Sequence, residues 1–452
     1  MIAIVVSRAD SASEHIGEAL LELGDWTERH DDARPDADGG GTYYRTDGFE
    51  LRTFDDLHIY LDRPDAAFDD PDCLVVVSRH SGETGPLLTA HFTGNFGDAE
   101  YGGEAGRFAR ACPNAAKGVV QALARHAPDD YEVGTECTHH GPTDVGVPSM
   151  FVELGSDEPQ WTAPAGARAV ARAVLDIRGA DADCEKQVVG FGGGHYAPRF
   201  GRVVRETGWA VGHVAADWGL EAMGNPASNR DVIRRAVEAS ATEYALVEGD
   251  RPGLVGVLED VGCQVVTETW LQETGDHPLP VVEAVESRLD GVGEGLRFGD
   301  VVPTVAGDAA DAIAVVDLPT DLIDAAHGVG AEATRAAVSE TTVAFETTEG
   351  GTRPRGRAAF DAADPSGAAD ALTDALASIL RESYDEVRRE DGSVVARTVA
   401  FDPAAARDLG VPEGPAFGRL ADGQAVDVDG ERIEPDAVRT ERVEAFDEVR
   451  IE

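Results

Sequence analysis

The sequence predicts an α/β protein built on a mainly parallel sheet flanked by helices, followed by a smaller α+β domain. Three observations lead there. Short apolar runs alternate with helix-period segments from Ile2 to about Thr267, the pattern of strands joined by crossover helices. The run Cys73 to Val77 is apolar at nearly every position, as a central strand buried on both faces requires. Composition then changes near Pro280: all five Trp, all three Met, all five Cys and eleven of the twelve His precede it. A chain of 452 residues exceeds one ordinary core, so we expect a first domain over residues 1–280 and a second over 281–452.

Taken in order, Ile2 to Val6 is an apolar strand. Ser11 or Ser13 can cap the helix that follows through Leu23, since a hydroxyl accepts from the free amides of a first turn. His30 to Gly41 is polar and rich in Gly and Asp, hence a loop. Leu57 to Leu61, Cys73 to Val77 and Leu87 to Phe92 read as strands, and Asn114 to His126 as a helix. The runs YEVGTEC and SMFVEL are strands on either side of a Gly-Pro turn. A helix from Ala163 to Ile177 and a strand at Gln187 to Val189 come next. The alternation continues with Ala210 to Val214 (strand), Asn229 to Ala239 (helix), Tyr244 to Val247 (strand), Pro252 to Asp260 (helix) and Gln264 to Thr267 (strand). In the second part, Ala312 to Val316 and Thr342 to Phe345 are strand-like. A helix from Ala368 to Leu380 places Leu372, Leu376, Ile379 and Leu380 on one face.

The formal net charge is −47, from 85 acidic and 38 basic residues, and only two of the bases are lysines, Lys117 and Lys186. Acid spread evenly along a folded sequence keeps a surface hydrated in concentrated salt, which also screens its self-repulsion. Five cysteines without CxxC spacing suit reduced, buried thiols and a cytoplasmic setting. No apolar run approaches the ~20 residues of a membrane span. The start MIAIVVSRADSAS lacks a basic leader and enters a strand directly, so no signal peptide is expected.

The chemistry concentrates in three Gly-rich stretches that each follow an apolar run: Ser78 to Gly97, Thr135 to Gly155 and Gly190 to Phe200. Together they hold His80, His91, His139, His140, His195, Glu136 and Glu153. Histidines and carboxylates are the usual donors of hydrolytic zinc sites, and this set suffices for one or two ions, although no HExxH spacing occurs. The other histidines noted, His15, His30, His58, His126, His277 and His327, lie outside these stretches and read as structural or exposed. GFGGGHY lacks the GxGxxG spacing of a dinucleotide loop and reads as backbone that approaches a ligand closely. Neither a GK[ST] phosphate loop nor a GxSxG elbow is present; Ser78 and Ser81 flank His80 as the alternative nucleophiles. Ala105 to Ala127 carries four bases and no acid, and Ala165 to Ala210 seven bases against five acids. Such islands in an acidic chain suggest a polyanionic ligand held by its phosphates, with Lys117 and Arg199 as contacts.

The stretches SRHSGETGPLLTAHFTGNFG, ECTHHGPTDVGVPSMFVELG and GFGGGHYAPRF resemble, in order and spacing, those of the archaeal and plant type 2 D-aminoacyl-tRNA deacylases over roughly residues 1–275. The resemblance implies a phosphorylase/peptidyl-tRNA hydrolase-like fold, zinc, and hydrolysis of the ester between a D-amino acid and tRNA. On that basis the expected metal ligands are His80, His91, His139, His195 and Glu153. Glu136, His139 and His140 would activate water, the amides of Gly193 and Gly194 would hold the oxyanion, and Ser78, Ser81, Thr84, Lys117 and Arg199 would bind substrate. A cytoplasmic monomer is expected, of haloarchaeal type, with residues 281–452 as an acidic extension. Within that extension Gly410 to Gly430, GVPEGPAFGRLADGQAVDVDG, is similar to a segment of tRNA 3′-processing nucleases, whose HxHxDH motif is absent here. Two other readings remain open at this point: a tRNA- or nucleotide-binding protein without catalysis, and a zinc peptidase or amidohydrolase.

Overall fold

Strand Ile2–Ser7 (β1) is buried at all six positions, as its unbroken apolar run dictates. Helix Ser11–Leu23 (α1) follows, and its N-cap is Asp10 in place of either serine. One Asp10 oxygen accepts from the amides of Ala12 and Ser13, and the other accepts from the Arg79 amide at 2.9 Å. A carboxylate answers the positive end of the helix better than a hydroxyl does. Next come Thr27–Asp31 (β2), Gly41–Thr46 (β3) and Phe49–Phe54 (β4), joined antiparallel. β2 and β3 lack a buried face, so no apolar alternation marks them in the sequence. Leu57 to Leu61 is no strand: the Tyr60 amide turns back to the Leu57 carbonyl at 2.9 Å, making one 3-10 turn over His58–Tyr60. Five alternating residues do not separate the two conformations.

Cys73–Arg79 (β5), Leu87–His91 (β6), helix Pro113–His126 (α2), Glu132–Thr135 (β7) and Ser149–Gly155 (β8) complete an eight-stranded sheet ordered β2-β3-β4-β1-β5-β8-β6-β7. Its centre, β4-β1-β5-β8, is parallel; β6 returns antiparallel to β8, and β7 runs parallel to β6. Glu158–Trp161 (α3) and Pro164–Asp176 (α4) follow, and α4 packs on both α1 and α2. Alanines on the facing sides (Ala12 and Ala19 in α1, Ala167 and Ala171 in α4) let these helices approach closely.

The later alternation forms a second, fully parallel sheet. Its strands are Gln187–Phe191 (β9), Ala210–Ala215 (β10), Tyr244–Val247 (β11) and Gln264–Val266 (β12), in the order β10-β9-β11-β12. Helices Pro198–Glu206 (α5), Asp217–Met223 (α6), Arg230–Ala239 (α7), Pro252–Asp260 (α8) and Glu268–Thr274 (α9) intervene or follow. Val189, Phe191, Ile233, Ala245 and Leu258 form the core of this layer. The mainly parallel α/β architecture is therefore present, but divided between two sheets.

The computed structural model describes residues 1–305 and 307–451, and the chain falls into two units, Met1–Gly275 and Asp276–Glu452. The second is α+β. It has one antiparallel sheet of Arg297–Phe298, Ile313–Asp317, Ala344–Thr348 and Arg353–Asp361, and another of Glu386–Glu390, Ser393–Phe401 and Arg439–Asp447. Helix Pro365–Leu380 buries Leu372, Leu376 and Leu380 completely, on the face its spacing marks. Gly410 to Gly430 lies between two strands of that second sheet and closes a small core of its own with Val411, Leu420 and Val426. Among the described residues no helix is long and apolar enough to cross a membrane.

Candidate active site

Strand register assembles the site. Ser78 of β5 pairs with Glu153 of β8, and Glu153 pairs with Thr89 of β6. Residues abreast in neighbouring strands emerge on the same face, so these three side chains form a row. His80 and His91 stand two residues further along and share that face. Glu136 follows the end of β7, next to β6, and His195 comes from the loop after β9 of the second sheet. His80, Glu136 and His195 follow the carboxyl ends of β5, β7 and β9, and β6 enters the site in the reverse direction, a reversal invisible in the local sequence.

Both carboxylates are buried and fully engaged. Glu153 Oε1 accepts from Ser78 Oγ at 2.9 Å and lies 3.3 Å from His91 Nε2, while Oε2 lies 3.4 Å from His80 Nδ1. Glu136 Oε1 accepts from Thr89 Oγ1 and lies 3.2 Å from His80 Nδ1; Oε2 accepts from His195 Nε2 at 2.7 Å. Burial alone would raise the pKa of both acids. Hydrogen bonds from His195 and His80 hold Glu136 well below the usual range, and the charge of His91 with the His80 hydrogen bond does the same for Glu153. In return, although burial opposes it, Glu136 and Glu153 raise His80 to about 10 and shift His91 upward as well.

His139 and His140 behave oppositely. Burial, then the charge of His91, lowers His139 to about 4; burial and the neighbouring rings push His140 well down. Both are neutral imidazoles. Each turns Nδ1 to a backbone carbonyl, His139 to Cys137 O at 2.8 Å and His140 to Gly141 O at 2.6 Å, and His91 does likewise to Phe92 O at 3.2 Å. For His139 and His140 these bonds fix the proton on Nδ1 and leave Nε2 as the ligand atom, the usual support for a metal-binding histidine, whereas His91 Nε2 is engaged with Glu153. The rings of His91 and His139 stack at 4.3 Å. Potential ligand atoms lie within 4.8 Å of one another in three groups: His91, His139, His140; Glu136, His139, His195; and His80, Glu136, Glu153. Two glycines permit this crowding. A Cβ on Gly155 would stand 2.6 Å from His80 Cβ, and one on Gly141 would meet the Gly103 nitrogen at 2.4 Å.

The cleft has a volume of about 360 Å³, and its lining includes Arg79, His80, Ser81, Tyr101, His139, His140, Glu153 and His195. Five predicted histidines and both glutamates thus meet. Ser78 lies beneath, holding Glu153, and Thr84 Oγ1 bonds Ser156 Oγ at 2.5 Å. Gly192 and Gly193 sit at φ +103° and +84°, and their amides already serve Ala215 O (2.7 Å) and Asp217 Oδ1 (2.8 Å). Lys117 Nζ donates to Thr207 O at 2.6 Å and Trp209 O at 3.2 Å; Arg199 Nε donates to Glu268 at 2.9 Å. Neither lines the cleft.

Sequence reading missed several participants. Buried His58, set aside as structural or exposed, lines the cleft 3.2 Å from Asp10. Thr89, Arg79, Tyr101 and Tyr196, whose hydroxyl is 3.2 Å from His80 Nε2, also went unassigned. His213, fully buried, bonds Thr138 Oγ1 at 3.0 Å and Ala109 O at 2.9 Å and so props the loop before His139. Tyr101 and Tyr196 carried a signal, an aromatic beside glycines in a polar loop; the others depend on long-range register.

Neutral imidazoles, charged imidazoles and two buried carboxylates around one solvent-open cleft define an acid–base hydrolytic centre on an α/β scaffold. The family model for D-aminoacyl-tRNA deacylase matches residues 67–266, which contain every residue of that centre except His58 and Asp10. Similar proteins include D-aminoacyl-tRNA deacylases of Halorubrum lacusprofundi (58% identical; 99% of this chain, 96% of that one) and Natronomonas pharaonis (54%; 99% and 100%). That of Methanosphaerula palustris is 34% identical over 89% of this chain and 91% of its own, a match that reaches into the second unit. A crystal structure of a conserved protein of unknown function is 29% identical, with TM-score 0.55 over 60% of this chain and 96% of that one. The chain belongs to the D-aminoacyl-tRNA deacylase family.

Proposed function

We infer that this enzyme hydrolyses the ester joining a D-amino acid to the 3′ end of tRNA, with zinc at the three-histidine face and catalysis within residues 1–280. The observation that carries the reading is the donor set itself: two neutral imidazoles, His139 and His140, tethered through Nδ1, grouped with His91 beside two ionised buried carboxylates. A dication balances buried negative charge that two imidazoliums otherwise balance. His91, His139 and His140 would hold the ion, with Glu136 and His195 completing a second group around His139. When bound, zinc supplies Lewis acidity for the ester carbonyl and lowers the pKa of a coordinated water.

The chain's own groups do the rest. Glu136, ionised and hydrogen-bonded to cleft-lining His195, accepts a proton from the water that attacks the carbonyl carbon. His80, protonated at neutral pH and hydrogen-bonded to Tyr196 OH, returns a proton through that hydroxyl to the departing ribose oxygen as the C–O bond breaks. Cys137 is no nucleophile: burial and the Glu136 charge push its thiol up to about 12, so it stays protonated. A purely phosphate-binding cleft would be lined with cations, and two buried carboxylates oppose that reading. tRNA is a cytoplasmic substrate, and the acidic surface suits a salt-rich cytoplasm.

Metal analysis of the purified full chain tests this, together with D-Tyr-tRNA deacylation in 2 M KCl. Bound zinc, chelator-sensitive turnover and loss of both in His139→Ala are expected. Full activity in a metal-free protein would remove the zinc assignment.

A further inference from the structure

A chain of net charge −47 must bind a polyanion in concentrated salt, where the Debye length is ~3 Å at 1 M and long-range attraction is screened out. The two cations we expected to hold phosphates, Lys117 and Arg199, are tied to carbonyls and to Glu268. Another mode of recognition is needed, and the distribution of aromatic side chains supplies one. Of 28 Phe, Trp and Tyr residues, the exposed ones among those described are four: Tyr60, Tyr101, Tyr196 and Trp218. All four adjoin loops or residues of the catalytic cleft. Tyr101 lines it, and its carbonyl accepts from the amide of Gly141, next to His140, at 2.9 Å. Tyr60 follows cleft-lining Ile59, and a Cβ on Gly102 would lie 3.2 Å from its ring, so the two tyrosines stand on abutting loops. Tyr196 touches His80, and Trp218 approaches the Cys137 thiol, which is 3.6 Å from His195 Nδ1. Tyr101 is 65% exposed and Tyr60 59%, a cost in water that folding does not require of them.

One cation accompanies them. Arg79 lines the same cleft, its guanidinium poised over Trp161 at 5.3 Å, with no carboxylate in ion-pair range among the described residues. In a protein where acids outnumber bases more than two to one, an Arg without an acidic partner inside the reaction cleft is available to a phosphate.

We propose that Tyr60 and Tyr101 form a stacking platform for the unpaired bases at the tRNA 3′ end, with Arg79 taking one phosphate beside the scissile ester. This rests on the deacylase reading for the identity of the nucleic acid. Stacking is short-ranged and tolerates salt, and each base–aromatic contact is worth enough to replace several screened ion pairs. Placed next to the acid–base centre, it sets the terminal ribose over His80 and Glu136.

The test uses the full chain and a fluorescein-labelled RNA tetranucleotide ending in CCA, with binding read by anisotropy from 1 to 4 M KCl. Tyr60→Ala and Tyr101→Ala should each weaken binding about tenfold, equivalent to about 1.4 kcal/mol, and Tyr→Phe at either position should restore it to within about twofold. With a single phosphate contact, affinity should fall less than about threefold over that salt range, from a single-strand slope of ~−0.7 per contact. In deacylation, the double Ala variant should show its loss in KM. Wild-type affinity in both Ala variants, or a salt response of a hundredfold, overturns the platform. The two readings fail separately. If the wild type deacylates D-aminoacyl-tRNA but the Ala variants match it in RNA binding and KM, the platform alone falls. If RNA binding depends on the tyrosines and no deacylation occurs, the deacylase reading falls and the platform stands.

Discussion

Glu136→Gln removes one charge from the centre of the site and changes almost no volume. In the wild type, the Glu136 carboxylate accepts three donors: Thr89 Oγ1, His80 Nδ1 at 3.2 Å and His195 Nε2 at 2.7 Å. A carboxamide offers one acceptor and turns an N–H toward at least one of those donors. A buried donor left without an acceptor costs about 1–3 kcal/mol, and His195 can lessen this by moving its proton to Nδ1. In a unit of this size about 1 kcal/mol shifts Tm by roughly 2–4 °C, so Tm should fall by about 2–12 °C with the fold intact. Loss of the proton acceptor should lower kcat by about 10²–10⁴-fold. The pH profile adds an independent mark. His80 stands at about 10 because Glu136 and Glu153 outweigh its burial; with Glu136 neutral, its pKa falls and the alkaline limb of the rate profile moves to lower pH. Thermal unfolding and D-Tyr-tRNA deacylation at several pH values in 2 M KCl measure all three. A variant with kcat within threefold of wild type and an unmoved alkaline limb would refute Glu136 as the proton acceptor and as the group that holds His80 charged.

Gly155→Ala should cut kcat/KM by about tenfold or more, because its Cβ would stand 2.6 Å from His80 Cβ on the main chain's own side; wild-type kinetics would show that His80 can move freely. Gly256→Ala is the converse control: mid-helix in α8, with no atom within 4 Å of the added Cβ, it should raise Tm by about 2–4 °C through a helix-propensity gain of ~1 kcal/mol, activity unchanged. Lys117→Met should lower Tm by several degrees and leave KM for tRNA alone, since its ammonium bridges the carbonyls of Thr207 and Trp209; a large rise in KM would return it to the substrate. His213 is held neutral, lowered to about 4 by burial, so the unfolded chain takes up its proton first between pH ~6.5 and 4. Stability from this group is full above pH ~6.5 and lost as pH falls through 4, by about 3 kcal/mol in all; the acid limb of denaturant-measured stability in His213→Gln should be shallower by that amount.

Local periodicity located Tyr244–Val247 and Pro252–Asp260 to the residue, because each is a short apolar element closed by turn residues. It missed β2 and β3, whose faces are half in water and carry no apolar alternation. The histidine-bearing loops were legible for a chemical reason: Gly, His and hydroxyls after an apolar run are poor core and good site material. Their internal roles were not, because a role depends on register. Ser78 looked like a nucleophile or substrate contact until pairing set it under Glu153, and Thr89 acquired its function only by standing beside Glu153 on the antiparallel β6. Charge was the least legible. Arg199 finds Glu268 sixty-nine residues away, whereas Arg79, the last residue of β5, has no acidic partner among the described residues.

The most direct measurement is single-turnover release of tyrosine from matched D-Tyr-tRNA and L-Tyr-tRNA by the full chain in 2 M KCl, with zinc content determined on the same sample. We predict rapid release from the D-ester, release from the L-ester near the spontaneous rate, and a D-ester rate that disappears with chelation and returns with zinc. Release from neither ester above the spontaneous rate, by a folded and zinc-loaded protein, would contradict the account.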